Sequence, residues 1–194
     1  MAGEATRPVP QRSNSRRNRE RILEVAQAAL RRSSDASINS IAKEAEVGIA
    51  TVFRHFPTRE ELVLEVYRRE MRQAVDAAPQ LLAALPPLDA LREWMSVMAQ
   101  YAMTKQGLAE ALGSRAARDA IVAEAYPPIL DAIDLLLEAG RNDSSIRPDL
   151  TAEDFFLAMH GLWRIDPQGD WKRQSTMLTD LLIAGIDNRH RPQA

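Results

Sequence analysis

Thr51, Arg54 and His55 lie within one short stretch, Ile49-Ala-Thr-Val-Phe-Arg-His-Phe56, and these residue types suit the recognition of a polyanion. A guanidinium forks onto guanine O6 and N7 or onto a phosphate, and threonine offers a methyl to thymine or a hydroxyl to phosphate. On a helix, Val52 and Phe56 share one face at i and i+4, so Thr51, Arg54 and His55 turn the other way. Gly48, Ile49 and Ala50 open the stretch, Phe53 sits inside it with core packing as its rival role, and Arg59 follows it. Further upstream, Ser37 stands at a helix start, where a hydroxyl and backbone N–H groups together hold a phosphate. Arg12, Arg16, Arg17, Arg19 and Arg21 form a basic run that can follow a DNA backbone or enter a minor groove.

Charge agrees with that placement. The net charge of −2 divides into 11 Arg and Lys against 7 Asp and Glu in residues 1–60, net +4, and 14 against 20 thereafter, net −6. Such asymmetry marks a nucleic-acid-facing end. The 22 arginines against 3 lysines run through the whole chain and read as codon bias.

Other chemistry finds little support. There is no cysteine for disulfides, thiolate zinc sites or thiol catalysis, and the three histidines, His55, His160 and His190, are far apart. No P-loop, GxGxxG, HExxH or GxSxG is present, and His160 near Asp166 reads as an ordinary pair of residues. No enzyme activity, cofactor or metal is expected. The longest charge-free run, Ala77 to Leu88, has 12 residues and three prolines, too short and too broken to span a bilayer. The basic N-terminus lacks an apolar h-region, so a cytoplasmic protein without membrane contact is expected.

The elements that position these residues read as all-α. Met1 to Asn14 is expected to be a disordered tail, with two prolines and little apolar content. Ile22, Ala26, Ala29 and Leu30 make the stripe of a first helix from near Arg16. Ser37 caps a second helix with Ile38, Ile41, Ala42 and Ala45, and a third spans about Ile49 to His55. Thr58-Arg-Glu-Glu61 is a capping box that opens a long helix to about Ala77. Pro79, Pro86 and Pro87 should then break the chain. Further helices are expected at about Leu88–Thr104, Leu108–Leu112, Ala117–Ala139, Thr151–Arg164 and Trp171–Ile186, with Pro127-Pro128 kinking or breaking the third of these. The expected organisation is a tail over 1–14, a helix-turn-helix domain with its connecting helix over 15–76, and a second helical domain over 77–190.

The segment from Ser37 to Leu62, within a match spanning roughly Arg16 to Tyr67, resembles the DNA-binding signature of TetR-family transcriptional regulators. The match includes Ile22-Leu23, Ile41-Ala42, Ala45-x-Val47, Thr51-Val-Phe-Arg-His-Phe56 and Pro57-Thr-Arg-Glu-Glu-Leu62. The resemblance implies an N-terminal helix-turn-helix domain, a C-terminal helical domain for ligand binding and dimerisation, and a regulator that is a repressor in most members. It also implies a palindromic double-stranded operator, a small-molecule effector and a homodimer. Carried onto this chain, the DNA-facing residues are Arg16, Arg17, Ser37, Gly48 by its backbone, Ile49, Ala50, Thr51, Phe53, Arg54, His55 and Arg59. Three positions depart from the pattern. Glu46 stands where glycine eases a positive φ, Gly48 replaces a capping serine, and Phe53 replaces a tyrosine. The first two keep a second reading open, a ligand-binding or scaffold protein whose helix-turn-helix does not bind DNA.

In the C-terminal two-thirds, Trp94, Met98, Tyr101, Tyr126, Phe156, Met159, His160 and Trp163 are candidate pocket residues, with plain core packing as the alternative. They favour a mostly apolar effector, with His160 or Tyr126 as a polar handle. Apolar stripes on the last two helices, Phe155 and Leu162, then Met177, Leu178, Leu181, Leu182 and Ile186, are the expected dimer interface. They can alternatively pair within one chain.

Overall fold

The computed structural model describes residues 10–33, 35–111 and 115–188. Among them are eight α-helices and a 3₁₀ helix, with no strand beyond an isolated bridge between Ile146 and Asp187. The chain separates into two compact units, one up to Val66 and one from Tyr67 on.

The first unit holds α1 (Pro10–Arg32), α2 (Ile38–Glu44), α3 (Ile49–His55) and the opening turns of α4 (Arg59–Ala84). Its core is the expected stripe of α1, Ile22, Leu23, Ala26, Ala29 and Leu30, closed by Ile41, Ala42, Ala45, Val52, Phe56, Leu62, Val63 and Val66. The caps are local chemistry. Ser37 Oγ accepts from Ser40 N at 3.1 Å and Thr58 Oγ1 accepts from Glu61 N at 3.1 Å, each satisfying a helix-start donor. The expected tail needs correction at its end: Pro10 to Asn14 belong to α1, and residues 1–9 lie outside the described ones. Proline suits the first helical position, because its missing N–H has no intrahelical acceptor there. The stretch hid from the apolar pattern because Gln11-Arg-Ser-Asn14 offers no large apolar residue.

The second unit holds the rest of α4, α5 (Pro87–Ala111), α6 (Arg115–Asn142), α7 (Ala152–Ala158), the 3₁₀ helix Met159–Arg164 and α8 (Trp171–Ile186). Helix α5 packs on α6, on α8 and on the 3₁₀ helix, and α6 packs on α7. Trp94, Leu91, Met95, Met98, Ile133 and Phe155 are fully buried at its centre. Thr151 and Asp154 form a reciprocal capping box on α7, and Asp170 caps α8.

Two expected breaks do not occur. Pro79 lies inside α4, which continues to Ala84, and Pro127 and Pro128 lie inside α6. An interior proline removes a rung and costs about 3 kcal/mol. At Pro79 the ring is exposed, while Ala74 and Ala78, in the turn before it, are buried. Pro87 instead starts α5, at the first position again. Leu88–Thr104 and the start of the next expected helix are one helix, α5, while Leu112 lies outside the described residues. The single helix expected over Thr151–Arg164 tightens to 3₁₀ at Met159. Gly161 lies there, and a Cβ on it would stand 2.9 Å from Leu178 Cδ2, so glycine permits the close approach of α8.

Candidate functional site

The turn between α2 and α3 decides whether α3 is correctly presented. Glu46 has φ 51°, in the left-handed region that the sequence pattern assigned to glycine. Glu46 N donates to Lys43 O at 3.1 Å and Val47 N to Ala42 O at 3.0 Å, the paired bonds of a Schellman ending. The turn therefore forms despite its glutamate. Gly48 is the N-cap of α3 at φ −66°, a conformation open to any residue, and it supplies no side-chain cap.

Successive residues of α3 rotate by about 100°. Val52 and Phe56 are buried, which sets Arg54 near the middle of the outward face. Thr51 and His55 lie on one flank, Ile49 and Phe53 on the other, with Ala50 exposed toward the outward edge. Arg54 leans to the polar flank, its Nη2 3.4 Å from Thr51 Oγ1. Phe53 is 44% exposed, as is Ile49, so neither serves the core. His55 is half-buried, with Nε2 enclosed. Burial, then Arg54, then Arg19 holds its pKa below the ordinary 6.5, because each disfavours the imidazolium.

Arg16 and Arg17 are exposed on α1, and Arg59 is half-exposed at the start of α4. Two other arginines of the basic run work inside the unit. Arg19 pairs with Glu65 and lies over the Phe56 ring at 5.2 Å, and Arg21 Nη2 reaches Glu46 O at 3.4 Å. The side chain of Arg12 lies outside the described ones. The hydroxyl of Ser37 is spent on its cap, accepting from Ser40 N and donating to Ser40 Oγ at 3.2 Å.

The eight pocket candidates divide into two groups. Trp94, Met98, Tyr101 and Met159 are buried. Trp94 Nε1 donates to Ala74 O at 2.9 Å, so this indole is core. Tyr101 stacks on Tyr67 with centroids 5.6 Å apart, and burial raises both hydroxyls, that of Tyr67 to about 12. Tyr126, Phe156, His160 and Trp163 instead form a half-exposed aromatic cluster across α6, α7 and the 3₁₀ helix. Phe156 touches Tyr126 at 5.0 Å, His160 at 4.8 Å and Trp163 at 5.7 Å. The Phe156 carbonyl fixes His160 through Nδ1 at 2.9 Å.

The expected dimer stripe divides as well. Phe155, Leu162 and Ile186 are buried in their own chain, and Leu178 and Leu182 are half-buried. The i, i+4, i+7 spacing runs from α7 into the 3₁₀ helix and marks their inward face, so Phe155 and Leu162 are corrected to core, with Ile186 on α8. Met177 and Leu181 stay exposed, Leu181 at 66%. Leu157, 70% exposed, was missed. Its signal was an apolar residue on the polar side of α7.

Family comparisons bear on the chain in two parts. Residues 23–66 match the tetR family of bacterial regulatory proteins, and residues 86–188 match the SbtR-like transcriptional regulator C-terminal domain. A TetR transcriptional regulator from Streptomyces coelicolor, SCO0520, is similar at 35% identity and TM-score 0.76, over 88% of this chain and 98% of that one. A TetR regulatory protein from Mycobacterium vanbaalenii is similar at 29% identity and TM-score 0.74, over 92% and 99%. The fold is shared with Thermus thermophilus FadR, a TetR-family repressor solved with lauroyl-CoA, at 24% identity and TM-score 0.54, over 91% and 98%. No curated protein matches.

Proposed function

This chain belongs to the TetR family of DNA-binding transcriptional regulators, and from that premise we propose a cytoplasmic homodimeric repressor released from a palindromic operator by a small molecule. The observation that carries the reading is the outward face of α3, where Arg54 stands exposed beside Thr51 on a correctly closed helix-turn-helix. Arg54 and Thr51 address base edges, with Arg16, Arg17, Arg59, His55 and the start of α2 at Ser37 on phosphates. Of the helices searched, none is long and apolar enough to cross a membrane.

Two-fold symmetry of the protein matches two half-sites about one duplex turn apart. The exposed Leu157, Met177 and Leu181 support a dimer through α7 and α8, since such side chains are covered in an assembly. The aromatic cluster of Tyr126, Phe156, His160 and Trp163 supports an apolar or aromatic effector, with His160 and Tyr126 as polar handles. Helix α4 gives Leu62, Val63 and Val66 to the first unit and Tyr67, Met71 and Ala74 to the second. An effector that prefers one setting of this shared helix shifts DNA affinity, and a tenfold change needs only about 1.4 kcal/mol of coupling.

Gel-shift titration of the duplex upstream of the protein's own gene tests the reading. Salt-sensitive, sequence-selective binding is expected, lost on Arg54→Ala with Arg16→Ala. Binding no tighter than to random duplex, together with failure to select any site from a random library, overturns it.

A further inference from the structure

Ile49 and Phe53 are each 44% exposed, although both are large and apolar. At i and i+4 they form one continuous flank of α3, and Arg54 stands beside that flank on the outward edge. The surface is two-sided: an apolar strip against a cation. Whatever covers it must present hydrogen-bond acceptors and an apolar group side by side. Phenylalanine sharpens this requirement, because without a hydroxyl Phe53 has only its ring to offer. The major groove of duplex DNA provides that pair. Guanine O6 and N7 take the guanidinium, and the C5 methyl of thymine supplies the apolar contact, whereas the minor groove holds no methyl.

We propose that Ile49 and Phe53 read thymine methyl groups, so that each half-site places thymine beside the guanine addressed by Arg54. This rests on the DNA-binding reading above and adds the base chemistry that sets its specificity. The apolar flank reads methyls, His55 on the polar flank reaches the phosphates, and Arg54 between the two flanks fixes the register.

The test uses the full chain and a duplex selected in vitro from a random-sequence library. Each thymine of the selected site is replaced singly by deoxyuridine, which deletes only the C5 methyl. At one or two positions per half-site the replacement is expected to weaken binding about fourfold, the effect of one buried methyl. Phe53→Ala or Ile49→Ala is expected to erase the thymine–uracil difference at its own position while the salt slope stays unchanged, because the phosphate contacts persist. Both side chains are exposed, and an unchanged circular dichroism spectrum confirms that each variant is folded. Equal affinity for thymine and uracil at every position overturns the proposal, as does full discrimination retained by both variants. Failure to select any sequence overturns the DNA-binding reading itself, and this inference with it.

Discussion

Glu46→Gly is the substitution for which the structure gives the clearest number. Glu46 holds φ 51°, where an L-residue sets Cβ against the carbonyl at a cost of about 1–2 kcal/mol. Glycine removes that clash but surrenders about 0.5–1 kcal/mol of chain entropy on folding. The net expectation is a gain of about 0.5–1 kcal/mol in the first unit. The two hydrogen bonds of the turn use only backbone, and the Arg21 side chain donates to the backbone carbonyl of residue 46, so glycine keeps all three. Glu46→Ala is the control: it deletes the same charge but keeps the strained φ. Amide exchange in the full chain reads the local effect without assuming that two units unfold together. The amides of Ala45 and Phe56 donate to Ile41 O and Val52 O, both at 2.8 Å, and report on α2 and α3. Their exchange is expected to slow about two- to fivefold in the glycine variant relative to the alanine one. On DNA the two variants should act alike, since each removes one negative charge from the same exposed position. Equal protection in both variants, or faster exchange with glycine, would refute the strain argument.

Further outcomes are expected. Leu181→Glu should give monomers by sedimentation: covering the exposed two-thirds of this leucine is worth about 1–2 kcal/mol per protomer, counted twice in a two-fold interface. Phe155→Ala should instead destabilise the chain by about 3–5 kcal/mol, since Phe155 is core. Arg54→Ala should cost about 1–3 kcal/mol of binding and relax specificity, whereas Arg59→Ala should weaken all sequences alike and lower the salt slope by about one. Because the folded pKa of His55 lies below 6.5, the unfolded chain binds the proton more readily, so its contribution to stability is full above that pH and is lost as pH falls. A phosphate beside His55 opposes the depression, so DNA affinity should rise from pH 7.5 to 6 with proton uptake, and His55→Gln should flatten both profiles. Trp163→Ala should change the response to effector while leaving ligand-free DNA binding intact in gel shifts.

Local chemistry made much of this fold legible. Ser37, Thr58 and Thr151 announce helix starts because their hydroxyls satisfy donors two or three residues on, a relation contained wholly in the sequence. Prolines misled because the same residue means opposite things by position. Pro10 and Pro87 start helices, whereas Pro79, Pro127 and Pro128 sit inside them. The positive φ at Glu46 was legible from the pattern even though the residue there is wrong for it, since the turn geometry belongs to the motif and not to its occupant.

Which face of an amphipathic helix meets its own chain was not legible, and α8 shows why. Its buried face carries Ser175 and Thr179 together with Ile183 and Ile186, while Met177 and Leu181 point outward. An apolar stripe reports that something covers it and leaves open whether the cover is the same chain or another molecule. Only when the inward face is already filled, partly by hydroxyls such as that of Ser175 bonded to Lys172 O at 3.0 Å, does the leftover apolar face acquire a meaning. The same reasoning separates Phe155 from Leu157 on α7, and Val52 from Phe53 on α3. In each pair one residue completes the core and the other is left in water, and the exposed ones are those proposed to meet a second protomer and DNA.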